Sequence, residues 1–123
     1  MANPSLFNPI EPSGIDWQFS SLVQDVTYDV NGVPTFTPTN LTGYTATLQV
    51  QDPKTNLAIF ALTIGAGITI TAPTTGVAIF HATSTQMTLT PGSYPFNVVG
   101  TSAGGVKTLW IIGLLTVERA AIV

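Results

Sequence analysis

The residue best suited to acid–base chemistry in this chain of 123 residues is its only histidine, His81. It lies in the stretch "VAIFHATSTQMTLTPGSYPF", residues 77–96, and the hydroxyl side chains of Thr83, Ser84 and Thr85 follow it closely. An unperturbed imidazole titrates at about pH 6.5, so it can transfer protons or bind a metal ion. With a carboxylate to orient it and an activated hydroxyl beside it, His81 would form the catalytic site of a hydrolase.

The carboxylates that could orient His81 do not form such a site in the sequence. None lies in a recognisable nucleophile motif; they are Glu11, Asp16, Asp25, Asp29, Asp52 and Glu118. His81 instead alternates with Val77 and Ile79 in a strand pattern, so its neighbours along the strand are apolar. We therefore interpret His81 as a strand residue with a local hydrogen bond and predict no catalytic residues. A hydrolase using His81 remains the third and least favoured hypothesis.

The sequence does not indicate a metal or cofactor site either. Asp16, Asp25 and Asp29 lack the spacing of a calcium-binding loop, and we interpret them as solvated turn residues. The runs "GAG" and "AGG" lack the strand-to-helix setting in which glycine-rich loops hold phosphate. Because the chain has no cysteine, it has no disulfide and no thiolate metal ligand. We expect no cofactor and no metal.

Charge and hydropathy narrow the class of partner. The net charge is -3 and only 7% of residues are charged, against about 25% in an ordinary domain. The basic residues Lys54, Lys107 and Arg119 are dispersed, which argues against a nucleic-acid partner. A mean hydropathy of +0.41 suits a surface that neighbouring proteins cover, since the centres of obligate interfaces are poor in charge.

Neither a membrane span nor a signal peptide is indicated. The longest apolar run, "LWIIGLLTV" at residues 109–117, has about half of the roughly 20 residues that a spanning helix needs. We predict that it is a buried strand. The N-terminus has no basic start and no apolar stretch of signal-peptide length, so we expect no secretion and no membrane partner.

The elements that must position these residues are strands. In "YTATLQVQ", residues 44–51, apolar and polar side chains alternate, and Asn31-Gly32 suits the turn of a tight hairpin. Pro95 predicts an edge position at the start of its strand. After His81, "TSTQMTL" suits a single helical turn capped by Ser84. Helical periodicity is otherwise absent.

Short strands at regular spacing predict the fold class. We expect an all-β protein, a single antiparallel β-sandwich of immunoglobulin-like type with about seven or eight strands. The sandwich would span residues 15–119, with an extended N-terminal arm at 1–14 and a C-terminal tail at 120–123. Its expected core is aromatic and apolar. The expected core residues are Trp17, Tyr44, Leu48, Phe80, Phe96 and Trp110.

The arm has the composition of an assembly element. Three prolines between residues 4 and 12 keep it extended, because they fix φ and remove amide donors. Leu6, Phe7 and Ile10 would be exposed on a free tail, so we expect them to lie on a neighbouring protein. On this interpretation strand pairing begins only at Ile15, and deleting residues 2–13 would leave the sandwich folded.

Four stretches resemble a family of small virion structural proteins of tailed bacteriophages, over about residues 14–118. They are "GIDWQF", "DVNGVPTFTPTNLTGYTATLQVQ", "GVAIFHATSTQMTLTPGSYPFNV" and "GGVKTLWIIGLLTVE". The chain departs from the family pattern at Gln51 and Asn97, where the family usually has Arg and Asp, and by the insertion "TFTP" before Leu41.

The resemblance implies a non-enzymatic module, similar to immunoglobulin-like or baseplate-adaptor domains, that joins or stabilises neighbouring virion proteins. It implies assembly in the host bacterial cytoplasm, with other virion proteins and copies of the chain itself as partners. The resemblance is compatible with two positions in the virion. We favour a tail, baseplate or neck component, and the alternative is a capsid decoration protein that binds major-capsid subunits.

Overall fold

A computed structural model describes residues 5–119; residues 1–4 of the arm and the tail at 120–123 lie outside the described part. The described chain is all-β, with one short 3₁₀ turn at Pro73–Thr75. The strands are β1 (Ser5–Leu6), β2 (Ile10–Pro12), β3 (Trp17–Leu22), β4 (Gln24–Tyr28), β5 (Pro34–Pro38), β6 (Thr45–Gln51), β7 (Ala58–Ile64), β8 (Gly67–Thr69), β9 (Val77–Ala82), β10 (Gly92–Thr101) and β11 (Lys107–Glu118).

The strands form a β-sandwich with an additional hairpin. The main sheet runs in the order β1-β11-β10-β6-β7-β8-β9-β3, with β2 also beside β11, and β4 pairs with β5 separately. Most pairs are antiparallel, but β1 and β2 run parallel to β11, and β7 runs parallel to β8. The sheet folds over one core, since Trp17 on β3 meets Phe96 on the distant strand β10 with ring centroids 5.5 Å apart.

The core follows from the alternation of side chains along the strands. On β6, Ala46, Leu48 and Val50 are buried while the residues between them are partly exposed. Five of the expected core residues are buried, and Tyr44 is half-buried with its ring 6.0 Å from that of Trp110. The buried five are Trp17, Leu48, Phe80, Phe96 and Trp110.

The N-terminal arm is extended but belongs to the sandwich. The prediction that strand pairing begins at Ile15 is wrong, because pairing with β11 begins at Ser5. The prolines do not prevent this, since their carbonyls still accept hydrogen bonds: Pro9 accepts the Thr116 amide at 2.9 Å. Phe7 packs against the core, with its ring 5.1 Å from that of Phe19.

The β4–β5 hairpin extends β3 beyond the sandwich. Only Val23 separates β3 from β4, so residues 17–28 form nearly one long strand whose partner changes from β9 to β5. The turn contains Asn31-Gly32 as predicted, with Gly32 at a positive φ of 78°. The carboxylate of Asp29 accepts the amides of Asn31 and Val33 at 2.8 and 2.9 Å, which closes the turn.

Candidate functional site

His81 lies near the end of β9 and pairs with one carboxylate. Its Nε2 is 2.7 Å from Oδ2 of Asp16, the residue just before β3, and both side chains are about half exposed. The hydrogen bond from His81 is the main reason that the pKa of Asp16 lies below its ordinary value of 3.8, and the amide of Ser84 also contributes. The pair therefore joins the start of β3 to the turn after β9.

The geometry around His81 does not add a nucleophile. A catalytic triad places a hydroxyl on the ring nitrogen that the carboxylate does not contact. Within residues 5–119, Asp16 is the side chain that hydrogen-bonds to the His81 ring. A single helical turn follows β9 as predicted, since the Met87 amide donates to the Thr83 carbonyl at 3.0 Å. Its cap is Thr83 rather than Ser84, because Thr83 Oγ1 accepts the Gln86 amide at 3.2 Å. The backbone amide of Ser84 instead helps to lower the pKa of Asp16.

The acidic residues that sequence spacing grouped together lie in separate local interactions. Asp25 accepts a hydrogen bond from Thr39 Oγ1 at 3.0 Å, and Asp29 closes the hairpin turn. In the part of the chain that the structure describes, no three His, Cys, Asp or Glu residues lie close enough together to hold a metal ion. No described helix is long and apolar enough to cross a membrane.

A continuous apolar surface lies on the outer face of β11 and the arm, and we call it the arm surface. It consists of Leu6, Ile10, Ile112 and Leu114. Leu6 pairs with Ile112 and Ile10 with Thr116, and directly paired residues point to the same face of a sheet. Leu6 is 75% exposed, Ile10 62%, and Ile112 and Leu114 48% each.

The arm surface bears on two predictions: the buried strand at residues 109–117 and the outward contacts of the arm. The stretch at residues 109–117 is not buried on both faces, because Leu109, Ile112 and Leu114 are exposed while Trp110 and Leu115 are buried. Of the expected arm contacts, Leu6 and Ile10 point outward. Phe7 points inward instead.

Sequence reasoning missed Ile112 and Leu114. The signal in the sequence was their spacing: Ile112 and Leu114 are two positions apart, on either side of Gly113, so they share one face of the strand. A run in which every residue is apolar conceals which face is buried.

A second exposed apolar surface lies on one side of the hairpin, and we call it the hairpin face. In β4 and β5, directly paired residues place apolar side chains on one side and Asp25, Thr27, Thr35 and Thr37 on the other. The hairpin face consists of Val26, Tyr28, Pro34, Phe36 and Pro38. Phe36 is 59% exposed and Tyr28 66%, so nothing in the described chain covers this face.

Of the comparisons with known proteins, the one with solved structures gives matches. No family model matches the chain, and no curated protein matches it. Among solved structures, 19 chains match. One is AggA, the major subunit of aggregative adherence fimbriae type I from Escherichia coli, at 14% identity over 94% of this chain and 91% of that chain, with a TM-score of 0.37.

Proposed function

We propose that this chain is a non-enzymatic structural subunit of a tailed-bacteriophage virion, and that its arm surface binds a neighbouring virion protein. The observation that carries the proposal is the arm surface itself. Leu6, Ile10, Ile112 and Leu114 form a contiguous apolar surface on the outside of a strand whose inner face is already packed. Such a surface is typical of a protein–protein interaction site.

The side chains of the arm surface are apolar at outward positions where polar residues are usual. Outer faces of sandwich strands normally carry polar residues, as Thr47 and Gln49 do on β6. Burying a large aliphatic side chain completely contributes about 1.5 to 3 kcal/mol. Covering the remaining exposed area of the arm surface would therefore give a substantial part of the affinity of a stable complex.

The resemblance to phage virion proteins supplies the setting for this contact. We favour a tail, baseplate or neck position, where small modules join larger proteins, and we place assembly in the host bacterial cytoplasm. Low charge across the chain supports an assembled protein, because charged residues are depleted at interface centres. His81 has no chemical role in this proposal.

Incorporation into particles tests the proposal. Purified phage particles should contain the chain in a fixed ratio to other virion proteins. The double variant Ile112→Thr with Leu114→Thr keeps strand propensity but removes much of the arm surface, so incorporation should fall at least about tenfold. The matched control is Ile59→Thr with Ile64→Thr on β7, where the side chains are 40% and 42% exposed.

Three results would contradict the proposal. Particles without the chain would remove the virion setting, and equal incorporation of both double variants would remove the arm surface as the binding site. Loss of infectivity in His81→Gln particles of normal composition would restore the hydrolase hypothesis. Imaging of particles with labelled subunits gives the position, since label on the head shell would indicate the capsid decoration alternative.

A further inference from the structure

We propose that two copies of this chain pair through the free edge of the β3–β4 strand, in one antiparallel register with Val23 opposite Val23. The proposal rests on the backbone of residues 17–28 and does not depend on the virion function. It uses the edge of a strand rather than the outer face of β11, and the two sites adjoin at Leu6, which lines the cavity beside Ser20 and Leu22.

The hydrogen bonds at Val23 determine which side of this strand is free. Val23 donates its amide to Gly76, which precedes β9, at 2.7 Å and accepts the amide of Thr39, which follows β5, at 2.8 Å. Further along, the Asp29 amide donates to Val33 at 3.1 Å. Odd-numbered residues therefore direct their amides and carbonyls toward β9 and β5, which lie on the same side of the strand.

The even-numbered residues of 17–28 direct their amides and carbonyls to the side of the strand opposite β9 and β5. Within residues 5–119, no strand pairs with that side and no other backbone hydrogen bond involves these groups. The outward-directed residues are Gln18, Ser20, Leu22, Gln24, Val26 and Tyr28. This free edge is about 40 Å long, at roughly 3.3 Å per residue.

The edge lacks the features that normally prevent pairing with another chain. Proteins protect free edges with lysine, proline, bulges or very short strands. Residues 17–28 contain no lysine, arginine or proline, and neither β3–β9 nor β4–β5 shows a shift in register. Beside β3, a cavity of about 290 Å³ lies between Ser20, Ser21 and Leu22 on one side and Leu6 and Ile111 on the other, which leaves room next to the edge.

A second copy can pair with the whole of this edge, because an antiparallel register with Val23 opposite Val23 places each of the six outward-directed residues opposite another outward-directed residue. In the proposed register Ser20 lies opposite Val26 of the other copy, Leu22 opposite Gln24, and Gln18 opposite Tyr28. Every outward amide and carbonyl then gains a partner, for roughly a dozen backbone hydrogen bonds. The only charged side chain in the strand, Asp25, lies opposite the Ser21 hydroxyl, so no like charges face each other.

Sedimentation velocity of the purified full chain tests self-pairing. The parent should sediment as a species of twice its 12.9 kDa mass at tens of micromolar. Ser20→Pro removes one outward amide and places a ring on the edge, where proline is compatible with the strand itself. It should sediment as a monomer, while the matched control Ser20→Ala keeps the amide and should remain a dimer.

Cysteine crosslinking tests the register independently of the proline variant. The chain has no cysteine. In Ser20→Cys with Val26→Cys the two thiols are about 20 Å apart within one copy, too far for a disulfide, but directly opposite between copies. Mild oxidation should give a covalent dimer for the double variant and at least about tenfold less for either single variant.

Each remaining outcome overturns the proposal. A parent chain that sediments as a monomer would overturn it. A chain that dimerises only after residues 2–4 are deleted would show that the chain's own N-terminus occupies the edge. A dimer that persists in Ser20→Pro would lie elsewhere on the molecule. If Ser20→Pro does not fold, the crosslinking result decides: equal covalent dimer from single and double variants would exclude the register.

Discussion

At the scale of single residues, the contact between Asp16 and His81 is the interaction with a defined pH dependence. The hydrogen bond from His81 lowers the pKa of Asp16 below its ordinary value of 3.8 in the folded protein. A carboxyl group whose pKa is lower when folded stabilises the fold fully above its unfolded pKa. That contribution is lost as the pH falls through the folded value.

Removal of the Asp16 carboxylate should therefore change acid stability. We expect Asp16→Asn to melt below the parent at about pH 7, with a difference that shrinks as the pH is lowered from about 4 to about 2. Thermal melts followed by circular dichroism at each pH measure this. His81→Gln is the companion variant, and it should reproduce the same convergence. A difference that is constant across this range would show that the pair does not stabilise the fold.

Gly100 and Trp110 form a close contact between a backbone and a side chain in the core. A Cβ atom on Gly100 would overlap the Trp110 indole, so the ring lies directly on the glycine backbone of the neighbouring strand. Gly100→Ala should lower the free energy of unfolding by about 1 to 3 kcal/mol through overpacking. The measurement is urea denaturation, with Gly104→Ala in the open loop after β10 as the control.

Replacement of Trp110 by alanine tests the opposite change, a cavity in the core instead of overpacking. Trp110 is 5% exposed, and Trp110→Ala should lower the free energy of unfolding by roughly 3 to 5 kcal/mol because it leaves a cavity. Urea denaturation of the two variants can be compared directly. If Trp110→Ala melts within about a degree of the parent, β11 does not pack on the core as described.

At the scale of elements, the arm depends on the absence of a side chain at Gly113. A Cβ atom on Gly113 would overlap the carbonyl oxygen of Phe7, which lies between β1 and β2. The Phe7 amide donates to Ile112 at 3.1 Å, and the Asn8 side chain accepts the Leu114 amide at 3.0 Å. The arm therefore approaches β11 most closely where β11 has no side chain.

Gly113→Ala should loosen the arm and leave the rest of the sandwich folded. We expect amide hydrogen exchange to increase at residues 7–14 by at least about tenfold, with exchange in β6 and β10 unchanged. Gly105→Ala, in a loop with open space, would distort only that turn and is the control. Uniform loss of protection across the chain would show that the arm and the sandwich open as one unit.

At the scale of the whole molecule, the arm is both a structural and a surface element. Phe7 packs on the core while Leu6 and Ile10 remain on the arm surface. Deleting residues 2–13 should therefore lower the melting temperature by several degrees, because it removes two strand pairings and one core aromatic ring. The separate effect on binding is measured with Leu6→Thr and Ile10→Thr, which should melt like the parent.

The two proposals concern two different sites on the molecule. The arm surface lies on β11, whereas the free β3–β4 edge continues into the hairpin that projects from the sandwich. The double variant Ile112→Thr with Leu114→Thr, whose sites do not line the cavity beside β3, should alter incorporation without altering self-association, and Ser20→Pro should do the reverse. This separation makes the two proposals independently testable.

The local pattern of the sequence was sufficient to predict the all-β class, the Asn31-Gly32 turn and most of the core. Alternation along a strand decides which side chains share a face, and turn residues act through their own backbone angles, so neither depends on distant residues. The edge position predicted for Pro95 is another local feature. Pro95 pairs with β11 on one side, and β10 pairs with β6 on the other side only from Phe96 onward.

Only the tertiary structure decided where the arm lies and which face of β11 is exposed. The apolar run at 109–117 and the proline-rich start at 4–12 have no alternation that identifies a partner, so their roles depend on strands distant in the sequence. Asp16 and His81 are likewise 65 residues apart and meet because β3 pairs with β9. Strand neighbours are selected by packing of the whole core, and that selection is not contained in any single segment.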